Sequence, residues 1–281
     1  MKSKPLVGVG LRPTHYPFLE SAPEVRSNFF EAVTENYLNT QGRPLEMLLM
    51  VRERFPVALH GVGLSIGSDK DPSREYLEKL KSLVQRVEPI LVSDHLCWTE
   101  ASLGNSHDLL PLPFTHEALN RVVKNIEITQ NALGRTILVE NISYYVRFKN
   151  DEMSEAQFII ETCRKSGARV LFDVNNIYVN SVNHGFDATE FCRSFPLDLI
   201  GQIHLAGPSQ EEGFLFDTHS TKVPDQVWEL FKILVSRGLK APVLVEWDQN
   251  IPTFDELELE VPRARLIINH NGASLDAETL T

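Results

Sequence analysis

The sequence predicts a single (β/α)8 TIM barrel, an α/β fold spanning residues 1–281, on three observations. Short apolar, β-branched runs recur eight times, helical stretches separate them, and from the third run onward each ends in or beside a histidine or a carboxylate. Strands separated by helices pair in parallel, and eight is a number that closes a barrel. At 281 residues the chain is long for one domain, but barrels of this kind reach that length as one unit.

The strands expected in chain order are Leu6–Leu11, Phe29–Thr34, Val57–His60, Ile90–His95, Thr136–Glu140, Arg169–Asp173, Leu199–Leu205 and Val243–Trp247. Helical periodicity marks Tyr76–Val87, Thr115–Leu133, Ser154–Ser166 before Gly167, and Pro224–Arg237 before Gly238, the glycines sitting where helices end. Asp187 with Glu190 three residues on starts a short helix through Ser194. The acidic run Asp255–Glu260 reads as a solvated helix start, and about the last ten residues, 272–281, as a frayed tail. A doubly wound open sheet also alternates strands and helices, but Gly8-Val9-Gly10 lacks the third glycine and the following helix of a phosphate loop.

Composition narrows the function classes. With 42% hydrophobic and 23% charged residues the chain can bury a large core. A formal net charge of −11, from 38 acidic against 27 basic residues, repels a polyphosphate backbone, so no nucleic-acid partner is expected. The start, Met1 to Pro5, runs straight into the first strand without a signal-peptide apolar region, and no window is apolar enough to span a membrane. Cys97, Cys163 and Cys192 are odd in number and form no CxxC pair, which fits reduced thiols and a cytoplasmic location.

The chemistry lies at the strand ends. His60, His95, Glu140, Asp173 and Glu246 close or follow their apolar runs, and His204 sits in Gln202-Ile203-His204-Leu205. Parallel barrel strands end on one face, so the six side chains are expected to converge, and carboxylates gathered there repel one another unless cations neutralise them. Imidazoles with carboxylates form an N/O ligand set for first-row metals. A structural polar network is the alternative reading. Asn176, three residues after Asp173, with Asp217 and His219 in Asp217-Thr218-His219, can hold a third ion; the alternative for the last two is a loop-stabilising hydrogen bond. His184 reads as a surface turn. Asp94, Trp98, Asn141, Tyr144, Arg147, Asn180 and Trp247 lie near the expected mouth, where Asp94 and Asn141 are expected to support neighbouring ligands or to pack. Arg12 suits an anion or a salt bridge equally.

The ligand order resembles that of the xylose isomerase and endonuclease IV superfamily of barrels. More closely, Val7-Gly8-Val9-Gly10-Leu11-Arg12, Glu35-Asn36-Tyr37, Leu59-His60-Gly61-Val62-Gly63-Leu64-Ser65, Ser93-Asp94-His95-Leu96, Val139-Glu140-Asn141, Asp173 to Asn180, His204-Leu205-Ala206-Gly207 and Asp217-Thr218-His219 resemble the multinuclear non-heme iron-dependent oxidative enzymes, a family that includes the iron oxygenase of methanobactin biosynthesis. The resemblance implies a xylose isomerase-like barrel holding two or three Fe(II)/Fe(III) ions, with Zn or Mn as possible substitutes. It implies that Glu140 bridges two irons, one completed by His60 and His95 and the other by Asp173, His204 and Glu246. Asn176, Asp217 and His219 would hold the third. It further implies dioxygen as co-substrate, oxidation of cysteine residues in a ribosomally made precursor peptide, and a separate partner protein that delivers the leader. Asn176 stands where the endonuclease pattern has histidine, which argues against a nuclease. A zinc- or manganese-dependent hydrolase or sugar isomerase remains the alternative enzyme, and metal storage or scaffolding the non-enzymatic one.

Overall fold

Each of the eight apolar runs forms a strand, with ends trimmed where the pattern meets a loop. In the computed structural model, which describes residues 5–101 and 104–278, the strands are β1 (Val7–Gly10), β2 (Phe30–Val33), β3 (Val57–Gly61), β4 (Leu91–His95), β5 (Leu138–Glu140), β6 (Arg169–Asp173), β7 (Ile200–Leu205) and β8 (Val243–Val245). They form a closed parallel barrel in sequence order, β8 pairing with β1. Their near-continuous burial is what strands covered on both faces require.

The described residues fall into two compact units: Glu31–Phe172, and the segment up to Phe30 with the segment from Asp173 onward. In the first, α1 (Arg43–Arg54), α2 (Arg74–Val87), α3 (His116–Leu133) and α4 (Glu155–Ser166) alternate with β3 to β6. Side-chain caps set three of these helix starts. Ser73 accepts from the backbone N–H of Tyr76, Thr115 from that of Ala118, and Ser154 forms a reciprocal capping box with Gln157. Register positions the chemistry. Across β3 and β4, His60 faces Ser93 and Gly61 faces Asp94, and across β4 and β5, His95 faces Glu140. With a side-chain period of two, Ser93 and His95 share one face of β4 while Asp94 takes the other.

A hairpin absent from the expectations, Trp98–Ala101 paired with Gly104–Leu110, follows β4. Its strands are polar and irregularly patterned, so no period-two signal announces them.

The second unit carries β1, β7 and β8, with α5 (Val174–His184), α6 (Ala188–Ser194), α7 (Asp225–Ser236) and α8 (Glu260–Glu278). Asp187 caps α6 by accepting from Thr189 and Glu190, as the sequence pattern predicts. Helix α5 was not expected, because its Asn- and Val-rich sequence has low helix propensity. Burial of Val174, Ile177 and Val179 and the Asp173 cap override that propensity, and His184 ends this helix instead of standing in a surface turn. A second unpredicted hairpin joins Ser209–Glu211 to Phe214–Phe216. Helix α8 continues to Glu278, and 279–281, the end of the expected tail, lie outside the described residues.

The acidic run Asp255–Glu260 departs from a purely solvated helix start. Glu258 is only 4% exposed and its carboxylate accepts from the backbone N–H of Arg26, the N–H of Ser27 and the Ser27 hydroxyl, at 2.8, 2.6 and 2.7 Å. This carboxylate satisfies a loop that no sheet or helix pairs. Glu258→Ala strands those donors and is expected to destabilise the protein by about 3 kcal/mol, the scale of charge-assisted bonds with unsatisfied partners. Denaturant melts measure it, and a loss under about 0.5 kcal/mol would show that the contact is dispensable.

Candidate metal centre

In the first unit the barrel register brings His60, His95 and Glu140 together. All three are buried, and their ligand atoms lie within 4.8 Å of one another. His60 Nε2 is 3.0 Å and His95 Nε2 3.4 Å from the same oxygen, Glu140 Oε2. The opposite nitrogen of each ring is committed elsewhere. His95 Nδ1 lies 2.9 Å from the carbonyl oxygen of Gly61, which only accepts, so Nδ1 carries the proton. His60 Nδ1 lies 2.8 Å from Ser93 Oγ, and it donates to that oxygen in the tautomer whose Ser93 hydroxyl donates to the Leu59 carbonyl at 3.4 Å. In the neutral rings both Nε2 atoms therefore aim lone pairs at a carboxylate oxygen. Three acceptors cannot face one another without a cation among them, whether a proton or a metal ion. Donation from Nδ1 to a carbonyl or hydroxyl is the arrangement that orients metal-binding histidines.

Around these residues the loop after β3 is tightly fitted. Asp94, on the opposite face of β4, accepts from the N–H of Leu64 at 3.2 Å and of His95 at 2.8 Å. Burial, with the nearby charge of Glu35, pushes its pKa up to about 8. Glu35 accepts from the Tyr76 hydroxyl and from Val62 N–H. Burial and the Asp94 and Glu35 charges raise the Tyr76 pKa in turn. A Cβ on Gly61 would stand 2.4 Å from Asp94 Oδ2, and one on Gly63 2.7 Å from the Tyr76 ring, so both positions need glycine.

In the second unit Asp173, His204 and Glu246 place ligand atoms within 4.8 Å of one another. His204 and Leu244 are register partners, and Glu246 lies two residues beyond Leu244, on the same side of the sheet. His204 Nδ1 is 2.9 Å from Glu246 Oε2, while its Nε2 meets the Gln202 side-chain amide at 3.2 Å. Beside them His219 sits among carboxylates. Nε2 is 2.6 Å from Asp217 Oδ1 and 3.8 Å from Asp173 Oδ2, and Nδ1 is 3.3 Å from Glu246 Oε2 and 3.1 Å from Asp248 Oδ2. Burial disfavours the charged ring, but Asp217 and Glu246 outweigh it and hold the His219 pKa well above its usual value. Burial likewise opposes ionisation of Glu246, and the His204 and His219 charges reverse that, keeping its pKa well below the ordinary range.

His219 has φ 44°, left-handed for a residue with a Cβ. The backbone N–H groups of Asp248 and Gln249 hold it there by donating to its carbonyl at 2.8 and 3.4 Å.

Asp217 and His219 thus meet in direct contact, an arrangement that the loop-stabilising hydrogen bond and a shared ion both accommodate. Of the two asparagines on the first turn of α5, Asn175 donates its side-chain amide to Asp217 at 2.8 Å. Asn176 is 2% exposed, and its backbone N–H donates to Asp173 Oδ1 at 2.7 Å. Arg12 forms a salt bridge with Glu246, at 3.3 Å, and with Asp248. Sequence reasoning missed Asp248, which groups with His219 and Glu246; its signal was the position two residues past a strand-end carboxylate. It also missed Ser93, whose register opposite His60 marks it as that ring's acceptor. Tyr144 is buried and donates to Glu155 at 3.2 Å, a packing role, while Trp98 donates to the Pro111 carbonyl at 2.9 Å.

An N/O donor set with facing lone pairs fits first-row metal ions. Comparison with known proteins agrees in family and in fold. The profile of a family described as "RiPP precursor modification enzyme MbnB/TglH/ChrH" matches residues 6–269. A UPF0276 protein of Caulobacter vibrioides is 47% identical over 268 residues, covering 95% of this chain and 96% of the relative. Another, of Chromobacterium violaceum, is 44% identical over 262 residues, covering 93% and 94%. Among solved structures, an L-ribulose 3-epimerase aligns over 96% of this chain and 97% of its own, with TM-score 0.62 and 13% identity. Endonuclease IV from Thermus thermophilus aligns over 93% and 99%, with TM-score 0.60 and 16% identity. Identities this low establish a shared TIM-barrel fold and nothing about substrate. The match along nearly the whole length, with the high identity to full-length relatives, shows that the chain belongs to the RiPP precursor modification enzyme family MbnB/TglH/ChrH.

Proposed function

We propose that the chain is an iron- and dioxygen-dependent oxidoreductase that modifies cysteine residues of a ribosomally synthesised precursor peptide in the cytoplasm, aided by a leader-binding partner protein. The observation that carries this reading is the pair of oriented imidazoles aimed at one buried carboxylate, in a chain of a peptide-modifying family. His60, His95 and Glu140 would hold one ion. Asp173, His204 and Glu246 would hold a second, and Asn176, Asp217 and His219 a third. Bound there, iron would supply a Lewis-acidic site for the substrate thiolate and electrons for dioxygen chemistry.

The protein's own contribution is orientation and charge. Ser93 and the Gly61 carbonyl fix the tautomers of His60 and His95, so their Nε2 lone pairs are set before any ligand arrives. Arg12 keeps a permanent positive charge against Glu246 and Asp248, which limits the excess negative charge left for cations to neutralise. Among the described residues no helix is long and apolar enough to cross a membrane.

Protein purified without oxygen is expected to hold roughly two or three irons per chain. With its cognate cysteine peptide and partner, exposure to air should consume oxygen and change the peptide mass. A fully iron-loaded protein inert toward that pair would overturn the proposal, as would oxygen-independent hydrolysis or sugar isomerisation with zinc or manganese.

Two further outcomes follow from the ligand geometry. Ser93→Ala removes the acceptor that fixes His60 and is expected to weaken iron binding about 10- to 100-fold, read by chelator competition, with the fold intact by circular dichroism. Unchanged affinity would show that Ser93 does not orient the ring. For His219 the raised pKa keeps the ring protonated near neutrality, so a metal must displace that proton. Affinity is therefore expected to rise with pH, with proton release into weak buffer on loading. Metal uptake independent of pH between about 6 and 8 would contradict the assignment of His219 as a ligand.

A further inference from the structure

In the first unit lies a cavity of about 530 Å³ that His60, His95 and Glu140 do not line. Its walls are the segments that follow the three strands carrying those ligands: Gly67 to Asp69 after β3, the hairpin with Trp98 and Glu100 after β4, and Asn150 with Glu152 after β5. Trp98 is three residues past His95, which keeps it within about 11 Å of that ligand's backbone. The volume lies within the roughly 300–1,000 Å³ typical of small-ligand pockets.

Both apolar and charged groups line it. Trp98, Leu112, Pro113 and Ala118 supply apolar lining, and the Trp98 ring is anchored through its bond to the Pro111 carbonyl. Asp69, Glu100, Glu117 and Glu152 supply four carboxylates. The cation of the lining, Arg121, faces its own loops: Nε donates to the Ser68 carbonyl at 3.0 Å, Nη2 to the Asp69 carbonyl, and Nη1 lies 3.2 Å from Asp71. It is therefore committed and makes no anion site. Lys70 approaches Glu100 at 4.0 Å, an exposed pair that water screens. The remaining balance is negative, and a carboxylate-lined cleft concentrates cations.

The walls are also held in place. Asn125, fully buried, donates to the carbonyls of Ile66 and Ser68, and Gly67 N–H donates to Cys97 O at 2.8 Å. The N–H groups of Glu152 and Met153 donate to Phe114 O, and His116 N–H donates to the Glu152 carboxylate at 2.7 Å. A cleft braced in this way loses little freedom on binding.

We propose that this cavity docks a lysine- or arginine-bearing segment of the peptide substrate next to the reacting cysteine, the aliphatic stem lying on Trp98 and the cationic head among Glu100, Glu117 and Glu152. The assignment rests on the peptide-modifying reading above. An aromatic face beside carboxylates suits both parts of such a side chain.

The test uses iron-loaded protein under nitrogen and three synthetic peptides with a central cysteine, identical except that four flanking positions are all Lys, all Gln or all Glu. By titration calorimetry the Lys peptide is expected to bind at least about tenfold more tightly than the Glu peptide. Glu117→Lys with Glu152→Lys should erase that preference, and Trp98→Ala should weaken the Lys peptide severalfold, with iron content unchanged. An equal charge change on exposed helix positions, Glu53→Lys with Glu127→Lys, should preserve the preference and so separate the cavity from net charge. Equal affinity for the Lys and Glu peptides, or a preference that survives Glu117→Lys with Glu152→Lys, overturns the docking assignment. Because binding is read without oxygen, that failure leaves the oxidation chemistry standing, and iron-loaded protein inert in air toward its cognate peptide and partner defeats the chemistry while the Lys preference leaves the docking site.

Discussion

Two imidazole lone pairs point at one carboxylate oxygen inside a closed barrel, and much of the local structure serves to keep them pointing there. His95 holds its orientation through the Gly61 carbonyl and His60 through Ser93, so the outer nitrogens are committed and, in the neutral rings, the inner ones present lone pairs. Gly61 must lack a side chain because Asp94 fills the space its Cβ would take. Asp94 is in turn fixed by the N–H groups of Leu64 and His95. A cation-binding geometry is thus written into the strand register, a glycine and a buried hydroxyl, all independent of any bound ion.

The second group of ligand candidates meets the same electrostatic problem by different means. There Glu246, Asp248, Asp217 and Asp173 surround His219, and the buried Arg12 supplies a charge that no accessible pH removes. His204 and His219 together keep Glu246 ionised despite its burial. The left-handed backbone at His219 is the conformational cost, of order 1–3 kcal/mol, of presenting both ring nitrogens to carboxylates from a loop instead of a strand. Strain of that size persists because the Asp248 and Gln249 amides bind the same carbonyl.

The barrel was legible because its signal repeats: eight apolar runs, each with a strand period too short for a helix, and four helices with clear caps or end glycines. His60, His95, Glu140, Asp173, His204 and Glu246 were legible because a polar side chain closing or following an apolar run needs a reason. What was not legible depends on neighbours distant in sequence. Helix α5 forms against its own propensity because packing and the Asp173 cap decide it. Glu258 looked like one of several solvated acids until the Arg26 and Ser27 amides were placed against it. Asp248 and Ser93 become site residues only through Arg12, His219 and His60, and no local pattern encodes those pairings.

The protein's own thiols sharpen the distinction between substrate and catalyst. Cys97, Cys163 and Cys192 are free and buried, and burial pushes Cys163 and Cys192 up to about 12. Cys97 is two residues past His95, where burial and then the charges of Asp94 and Glu140 hold its pKa well above the usual thiol range. Thiolates, not thiols, ligate metals and react with oxidants, so each of these groups is held in its inert form. A centre that oxidises cysteine would attack an ionised neighbour first. Burial first, and then the Asp94 and Glu140 charges, therefore hold the Cys97 thiol protonated, and on the function proposed above the reactive sulfur is the peptide's.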